Sequence, residues 1–480
     1  MSGASLGSPS RREFLQAGVA TVGSHLLSPL RGAQETESRP NLLFLLTEGQ
    51  RWDALSLTGH SVLKTPHQDR IGREGVVFRN SFCTNALCAP SRAVALTGKY
   101  SHITGAMGNQ TRDPLPSNIA LFTDLLHQAG YDVAFCGKGH MGNGARERYW
   151  DYYFGFNAPV TNYYKPRLYE GRKGDMGPEV TYSGFADDLI TDRALAWLRE
   201  PRKRPFCLLL WHQTPHAPFF RPRHYLRMYE GLSMPVPPTF DDDLKGYPGK
   251  PRGFANAAQK IGTVDNGDAA RTPEELMKDY YAGLVSLDDN IGRVISWLEQ
   301  TGQLDNTAIL QSSDHGFFLG EFRCYDKRFM HEPSIRVPTL LRYPKAFKPG
   351  THVDKMILNV DYAPTLLELA GVPVPVDMQG RSLIDLAKGH TVPDWRKSWY
   401  YEYDDNRVMN VPASRGIRTE RYKFIQYYKE TPQEFELYDL QEDPGELRNL
   451  TDDPAHSALR ADLETQMAGL RKELGDNWTA

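Results

Sequence analysis

Four short apolar runs constrain this chain most: Asn41–Thr47 (NLLFLLT), Asp132–Cys136, Phe206–Trp211 and Thr307–Ser313. Pro40 and Gly49 bound the first. None alternates polar with apolar residues, so none has a face to show water. That pattern predicts strands buried on both sides, as in a parallel sheet. Helical patterns lie between the runs. Leu121–Ala129 is amphipathic and stops at Gly130, a C-terminal cap. Thr272-Pro273-Glu274-Glu275 is a capping box with proline at the first helical position. The helix it opens carries Met277, Tyr280, Tyr281, Leu284, Leu287, Ile291, Ile295 and Leu298 at core spacing. Strands alternating with helices predict an α/β fold with a large, mostly parallel sheet flanked by helices. Ligands of such sheets bind beyond the carboxyl ends of the strands. Glu48, Lys138, His216 and Asp314 all follow or end a run there.

The character changes after Gly371-Val372-Pro373-Val374-Pro375. Trp399–Glu402, Tyr422–Tyr428 and Phe435–Tyr438 read as short strands, and Ala455–Leu474 as an amphipathic helix. We therefore expect a main unit over residues 38–375 and a smaller C-terminal α+β subdomain over 376–480. Pro235–Asn266, rich in proline, glycine and charge, reads as a long surface excursion.

The 56 Lys and Arg residues nearly balance the 59 Asp and Glu, a net charge of −3, so nucleic acid is not an expected partner. No run in the body of the chain is long enough to insert stably in a membrane. The five cysteines are odd in number and form no C-x-x-C pair, which argues against a zinc knot or a disulfide framework. Ser10-Arg11-Arg12-Glu13-Phe14-Leu15 precedes an acid-free, largely apolar stretch from Ala17 to Leu30. It resembles a bacterial twin-arginine export signal, ending near Ala33, with a periplasmic or secreted destination.

Cys88-Ala89-Pro90-Ser91-Arg92, followed by Leu96-Thr97-Gly98, is the rarest string in the chain. It resembles the maturation signature of the formylglycine-dependent sulfatases, which share an alkaline-phosphatase-like fold. The resemblance runs from about Pro40 to Pro454. It implies that a maturation enzyme converts Cys88 to formylglycine, whose hydrate is the nucleophile, with Arg92 offsetting charge beside it. Asp314-His315-Gly316 resembles the segment whose Asp and His bind a calcium ion. Lys138 and His140, in Cys136-Gly137-Lys138-Gly139-His140, resemble a sulfate-binding lysine and the base that releases sulfate. His216, in Pro215-His216-Ala217-Pro218-Phe219, would contact sulfate and could protonate the leaving alcohol. Lys327, in Tyr325-Asp326-Lys327-Arg328, would bind sulfate and is a second candidate acid; His331 is a further candidate substrate contact.

One departure stands out. Many sulfatases carry two acidic or amide metal ligands after the first strand, where this chain has Glu48 and Gly49. Glu48 keeps the charge and remains an expected metal ligand with Asp314, His315 and position 88. Glycine supplies no side chain, leaving water or Gln50 as a substitute donor. The resemblance thus implies a calcium-dependent sulfuric ester hydrolase, its substrate a sulfated small molecule or oligosaccharide. Two other readings stay open: a phosphonate or phosphate ester hydrolase of the same superfamily, and a non-catalytic protein that binds sulfated glycans.

Overall fold

The computed structural model describes residues 39–109, 115–142, 148–240, 249–253, 272–404 and 411–477. The segment read as an export signal lies outside them, as does much of the 235–266 excursion. Ten strands form the main sheet: β1 (Asn41–Thr47), β2 (Val76–Phe82), β3 (Asp132–Lys138), β4 (Tyr152–Phe156), β5 (Arg167–Gly171), β6 (Glu179–Thr181), β7 (Phe206–Trp211), β8 (Thr307–Ser313), β9 (Thr339–Arg342) and β10 (Thr351–Leu358). Their spatial order is β10-β2-β9-β8-β1-β7-β3-β4-β5-β6. The block β8-β1-β7-β3-β4 is parallel throughout. β9 runs antiparallel to both of its neighbours, and β5 and β6 close one edge antiparallel.

Strand β1 shows why an unbroken apolar run belongs at the centre of this sheet. Leu43 and Leu45 enter the hydrophobic cluster on one face. Leu42, Phe44 and Leu46 enter the cluster on the other. Helix Pro273–Gln300 covers the first face, its capping box formed as expected by Thr272 and Glu275. Helices Phe122–Gln128 and Tyr362–Leu369 cover the second.

A separate antiparallel sheet, β11 (Ser398–Tyr403), β12 (Ser414–Thr419), β13 (Tyr422–Tyr427) and β14 (Glu434–Asp439), lies in the C-terminal region. One face of this sheet carries Trp399, stacked on Phe82, and the other carries Tyr400, Ile417 and Phe424. Helix Ser457–Leu474 adds Leu463 and Met467 to the same hydrophobic cluster, which also holds Leu87, Phe318 and Met330. The C-terminal sheet therefore backs two loops of the main sheet, those carrying Cys88 and Lys327. Among the described residues, no helix is long and apolar enough to cross a membrane.

Candidate active site

The ends of four parallel strands and one helix meet at Cys88. Leu87 is extended and the chain turns helical at Cys88, with Pro90 in the first turn, where a missing N–H breaks no helical bond. All ten residues of helix Cys88–Thr97 are buried. The Cys88 thiol donates to Glu48 Oε1 at 2.6 Å and lies 3.6 Å from His315 Nε2.

Glu48 leaves the end of β1. Gly49 then takes φ +76°, a conformation that suits glycine, and its N–H donates to Asp314 Oδ1 at 3.0 Å. A Cβ there would stand 3.3 Å from His315 Cε1. The glycine thus contributes a backbone donor at the position where, by the resemblance, many sulfatases carry a side-chain ligand. The Gln50 amide donates to Ala54 O and Gln68 Oε1, while its own Oε1 has no hydrogen-bond partner among the described residues.

Asp314 and His315 follow β8 directly. Asp314 Oδ2 accepts from Arg92 Nε at 3.0 Å, and Arg92 Nη2 reaches Glu48 Oε2 at 2.6 Å. The third guanidinium donor bonds Lys138 O at 2.5 Å, and the guanidinium lies over the Trp211 ring. Arg92 is fully buried, and each of its three guanidinium nitrogens has a defined acceptor.

Lys138 ends β3. The preceding Gly137 lets β3 approach β7, since a Cβ would fall 1.9 Å from Trp211 O. Lys138 Nζ is 2.9 Å from Glu48 Oε2. His216 Nε2 and Lys327 Nζ each lie 3.8 Å from Glu48 Oε1. Tyr163 donates to His216 O at 2.9 Å, and Phe317 underlies Lys327. His140, at φ +53°, is buried with Nδ1 lacking a hydrogen-bond partner among the described residues.

Charge is unevenly shared in this cluster. Burial opposes ionisation of Glu48, but Lys138 and Arg92 outweigh it and hold the carboxyl well below its ordinary range. Burial and then Glu48's charge push Asp314 up to about 7, against the pull of His315 and Arg92. Burial works against a charged His315, yet Asp314 raises it to about 9. Burial, Lys327 and Lys138 push His216 down to about 4, so it is neutral near pH 7. Burial likewise lowers His140.

Ligand atoms of Glu48, Cys88, Asp314 and His315 all lie within 4.8 Å of one another. Two carboxylates and one imidazole converge here with the position 88 side chain, and burial together with Glu48 holds Asp314 above its ordinary range. Such a donor set fits a divalent cation.

The structure thus brings together Glu48, Cys88, Arg92, Lys138, His140, His216, Asp314, His315 and Lys327. It does not bring His331 to them as a substrate contact. That side chain is fully buried, 3.0 Å from Glu436 Oε2 and 3.1 Å from Lys250 Nζ, among Phe318, Phe329 and Tyr438. Its role is to join the Lys327 loop to the C-terminal sheet.

Two supporting residues went unread in the sequence. Asn359 Nδ2 donates to Ser91 Oγ at 2.9 Å, and Ser91 Oγ donates to Asp314 O. Trp211 ends a strand whose C-terminal position was the one available signal.

A large, mostly parallel sheet with a buried cluster of cations and carboxylates at its carboxyl ends defines an alkaline-phosphatase-like hydrolase. Residues 40–372 match the sulfatase family, and residues 320–473 match the C-terminal region of N-sulphoglucosamine sulphohydrolase. The chain belongs to the sulfatase family and is a sulfuric ester hydrolase. An N-acetylglucosamine-6-O-sulfatase of Bacteroides thetaiotaomicron is 33% identical, over 92% of this chain and 88% of that one. A solved structure in complex with its substrate D-glucosamine-2-N,6-O-disulfate superposes with a TM-score of 0.82 at 32% identity, covering 92% of this chain and 99% of the other. A phosphonate monoester hydrolase from Silicibacter pomeroyi shares the fold, with a TM-score of 0.76 at 24% identity over 91% and 96% of the two chains.

Proposed function

We infer that this chain is an exported sulfatase that removes sulfate from a sulfated carbohydrate, with formylglycine made from Cys88 as nucleophile and calcium as the bound ion. One observation carries the reading: position 88 is the point where the two carboxylates and the cations converge, with Glu48 Oε1 2.6 Å from Sγ. The similar N-acetylglucosamine-6-O-sulfatase and the neighbour bound to a glucosamine disulfate support a sulfated hexosamine as the substrate class. Glu48, Asp314, His315 and position 88 would hold the ion. Bound, these groups supply a nucleophilic hydroxyl and charge stabilisation at sulfur.

The chain's own residues supply the rest. Lys138, Lys327 and Arg92 place fixed positive charge where sulfuryl oxygens gain negative charge. His216 is neutral in the free protein because it is buried and two lysines face it. An anionic sulfate between them offsets their charge, so substrate binding raises the proton affinity of His216 and prepares it to protonate the leaving alcohol. Lys327 is the alternative donor. Buried, neutral His140 has an unengaged Nδ1 and suits the base that drives sulfate release. The Ser10–Leu15 motif supports export, and hence a periplasmic or secreted enzyme.

The test is chain co-produced with a maturation enzyme of demonstrated competence. The Cys88 peptide should show the mass of an aldehyde in place of the thiol. Sulfate should be released from N-acetylglucosamine 6-sulfate faster than phosphate from N-acetylglucosamine 6-phosphate. An unmodified cysteine, or the reverse preference, would overturn the reading.

A further inference from the structure

A cavity of about 730 Å³ lies beside the catalytic cluster, yet no catalytic residue lines it. Its walls come from the loop after β1 (Trp52, His60), segment Pro235–Thr239, helix Pro273–Gln300 (Tyr281), the Lys327 loop (Phe322) and the C-terminal region (Arg418). Its volume lies within the usual range for a small-molecule site, ~300–1,000 Å³.

One layer of residues joins this cavity to the cluster. Arg51 lines the cavity and follows Glu48 closely in the chain. Its guanidinium donates to Phe317 O at 3.3 Å, and the Phe317 ring is 5.8 Å from Lys327 Nζ. Tyr280 donates to Gly49 O at 2.9 Å and accepts from Arg51 N at 3.0 Å. Arg51, Phe317 and Tyr280 thus link the cavity wall to the segments that carry Glu48 and Lys327.

The two compartments differ in charge. The three arginines that line the cavity, Arg51, Arg336 and Arg418, face four carboxylates, Asp53, Glu321, Glu332 and Glu446. Arg51 pairs with Asp53 at 2.8 Å and Glu321 at 2.5 Å. Arg418 pairs with Glu332 at 3.3 Å, while Arg336 lies 4.0 Å from Glu332 and stacks 4.0 Å over Trp52. No surplus cation is left there for a second sulfate. What remains for a ligand is aromatic and proline surface from Trp52, Tyr281 and Pro235–Pro238, with the Thr58 and Ser61 hydroxyls. Such walls suit the C–H faces and hydroxyls of an uncharged sugar.

We propose that this cavity is an accessory subsite for an uncharged sugar unit of the glycan whose sulfated unit reaches Cys88. It rests on the carbohydrate reading above and adds a preference for oligosaccharides with an unsulfated neighbour. The probe is N,N′,N″-triacetylchitotriose, which carries no sulfate, titrated calorimetrically into the full chain. Trp52→Ala removes a wall. Ser61→Trp, at an exposed rim position, fills the space without deleting a buried group. Both variants should lose at least about tenfold in chitotriose affinity. Each should keep kcat/KM on N-acetylglucosamine 6-sulfate within about twofold, and lose about tenfold or more on 6-O-sulfated chitotriose.

No binding of chitotriose to the unaltered chain, or equal binding by all three forms, overturns the proposal. So does tighter binding of a sulfated trisaccharide that Ser61→Trp alone abolishes, because the occupant is then charged. Chitotriose binding that both variants lose, with neither sulfated sugar hydrolysed by the unaltered enzyme, upholds the subsite and refutes the sulfatase substrate instead.

Discussion

Replacing Arg92 with methionine tests whether the cluster is held together by charge. The guanidinium is fully buried and bonds Asp314 at 3.0 Å, Glu48 at 2.6 Å and Lys138 O at 2.5 Å. Charge-assisted hydrogen bonds contribute ~1.5–3 kcal/mol each, so three set an upper bound of ~9 kcal/mol. The neighbours limit the loss. Glu48 keeps Lys138 at 2.9 Å, and Asp314 keeps the N–H groups of Gly49 and His315. Removing one partner of a buried ion pair costs about 3–5 kcal/mol, and that is the expected loss of stability. It should appear in urea unfolding followed by tryptophan fluorescence, with chelator present so that no ion takes over the carboxylates. Arg92→Lys keeps the charge but cannot span three acceptors, so it should lie between the two proteins. A loss under about 1 kcal/mol for Arg92→Met would refute the view that this arginine balances the two carboxylates.

Three further outcomes are expected. Cys88→Ala should remove sulfatase turnover by about four orders of magnitude or more while leaving the far-ultraviolet circular dichroism unchanged. Gly49→Val sets a β-branched residue at φ +76° with its Cβ 3.3 Å from His315 Cε1. It should destabilise by about 1–3 kcal/mol, and Gly49→Asn by less, as thermal melting would show. Burial pushes Glu436 up, but His331 and Lys250 outweigh it and hold the carboxyl at about 2, against an ordinary 4.5. A depressed carboxylate contributes stability that is full above pH 4.5 and lost as pH falls toward 2. The difference corresponds to about 3 kcal/mol. Urea midpoints measured across that window should decline less steeply in Glu436→Gln; an unchanged slope would remove Glu436 as the source.

The central sheet was legible because its strands are apolar on both faces. β1, β7 and β8 have the bounds their residue runs suggest. β2 (VVFRNSF) and β12 (SRGIRT) were not read, since polar residues and a glycine interrupt them. What makes them strands is the partner beside them, Thr351–Leu358 for one and Ser398–Tyr403 for the other. The convergence of Glu48, Lys138 and Asp314 was legible because polar residues just beyond buried strands stand at the sheet's carboxyl edge. His331 misled because a histidine near a functional lysine reads alike whether it faces a cleft or the core. Only the fold brings Glu436 and Lys250 to it. The role of Gly49 was hidden for a similar reason, since a backbone N–H leaves no mark in a sequence.

On the formylglycine reading proposed above, the complete burial of helix Cys88–Thr97 sets a timetable for the enzyme's manufacture. A thiol with no exposed surface, under a sheet and backed by a second one, gives a modifying enzyme no access. Conversion of Cys88 must therefore happen while this segment is still extended, before the C-terminal strands fold over it. Folding and maturation become competitors for the same nascent chain. Molecules that fold first are sealed as cysteine and stay inactive, whatever maturation enzyme they meet afterwards. The active fraction of a preparation should then follow the pace of synthesis during production, and no treatment of the folded protein should raise it.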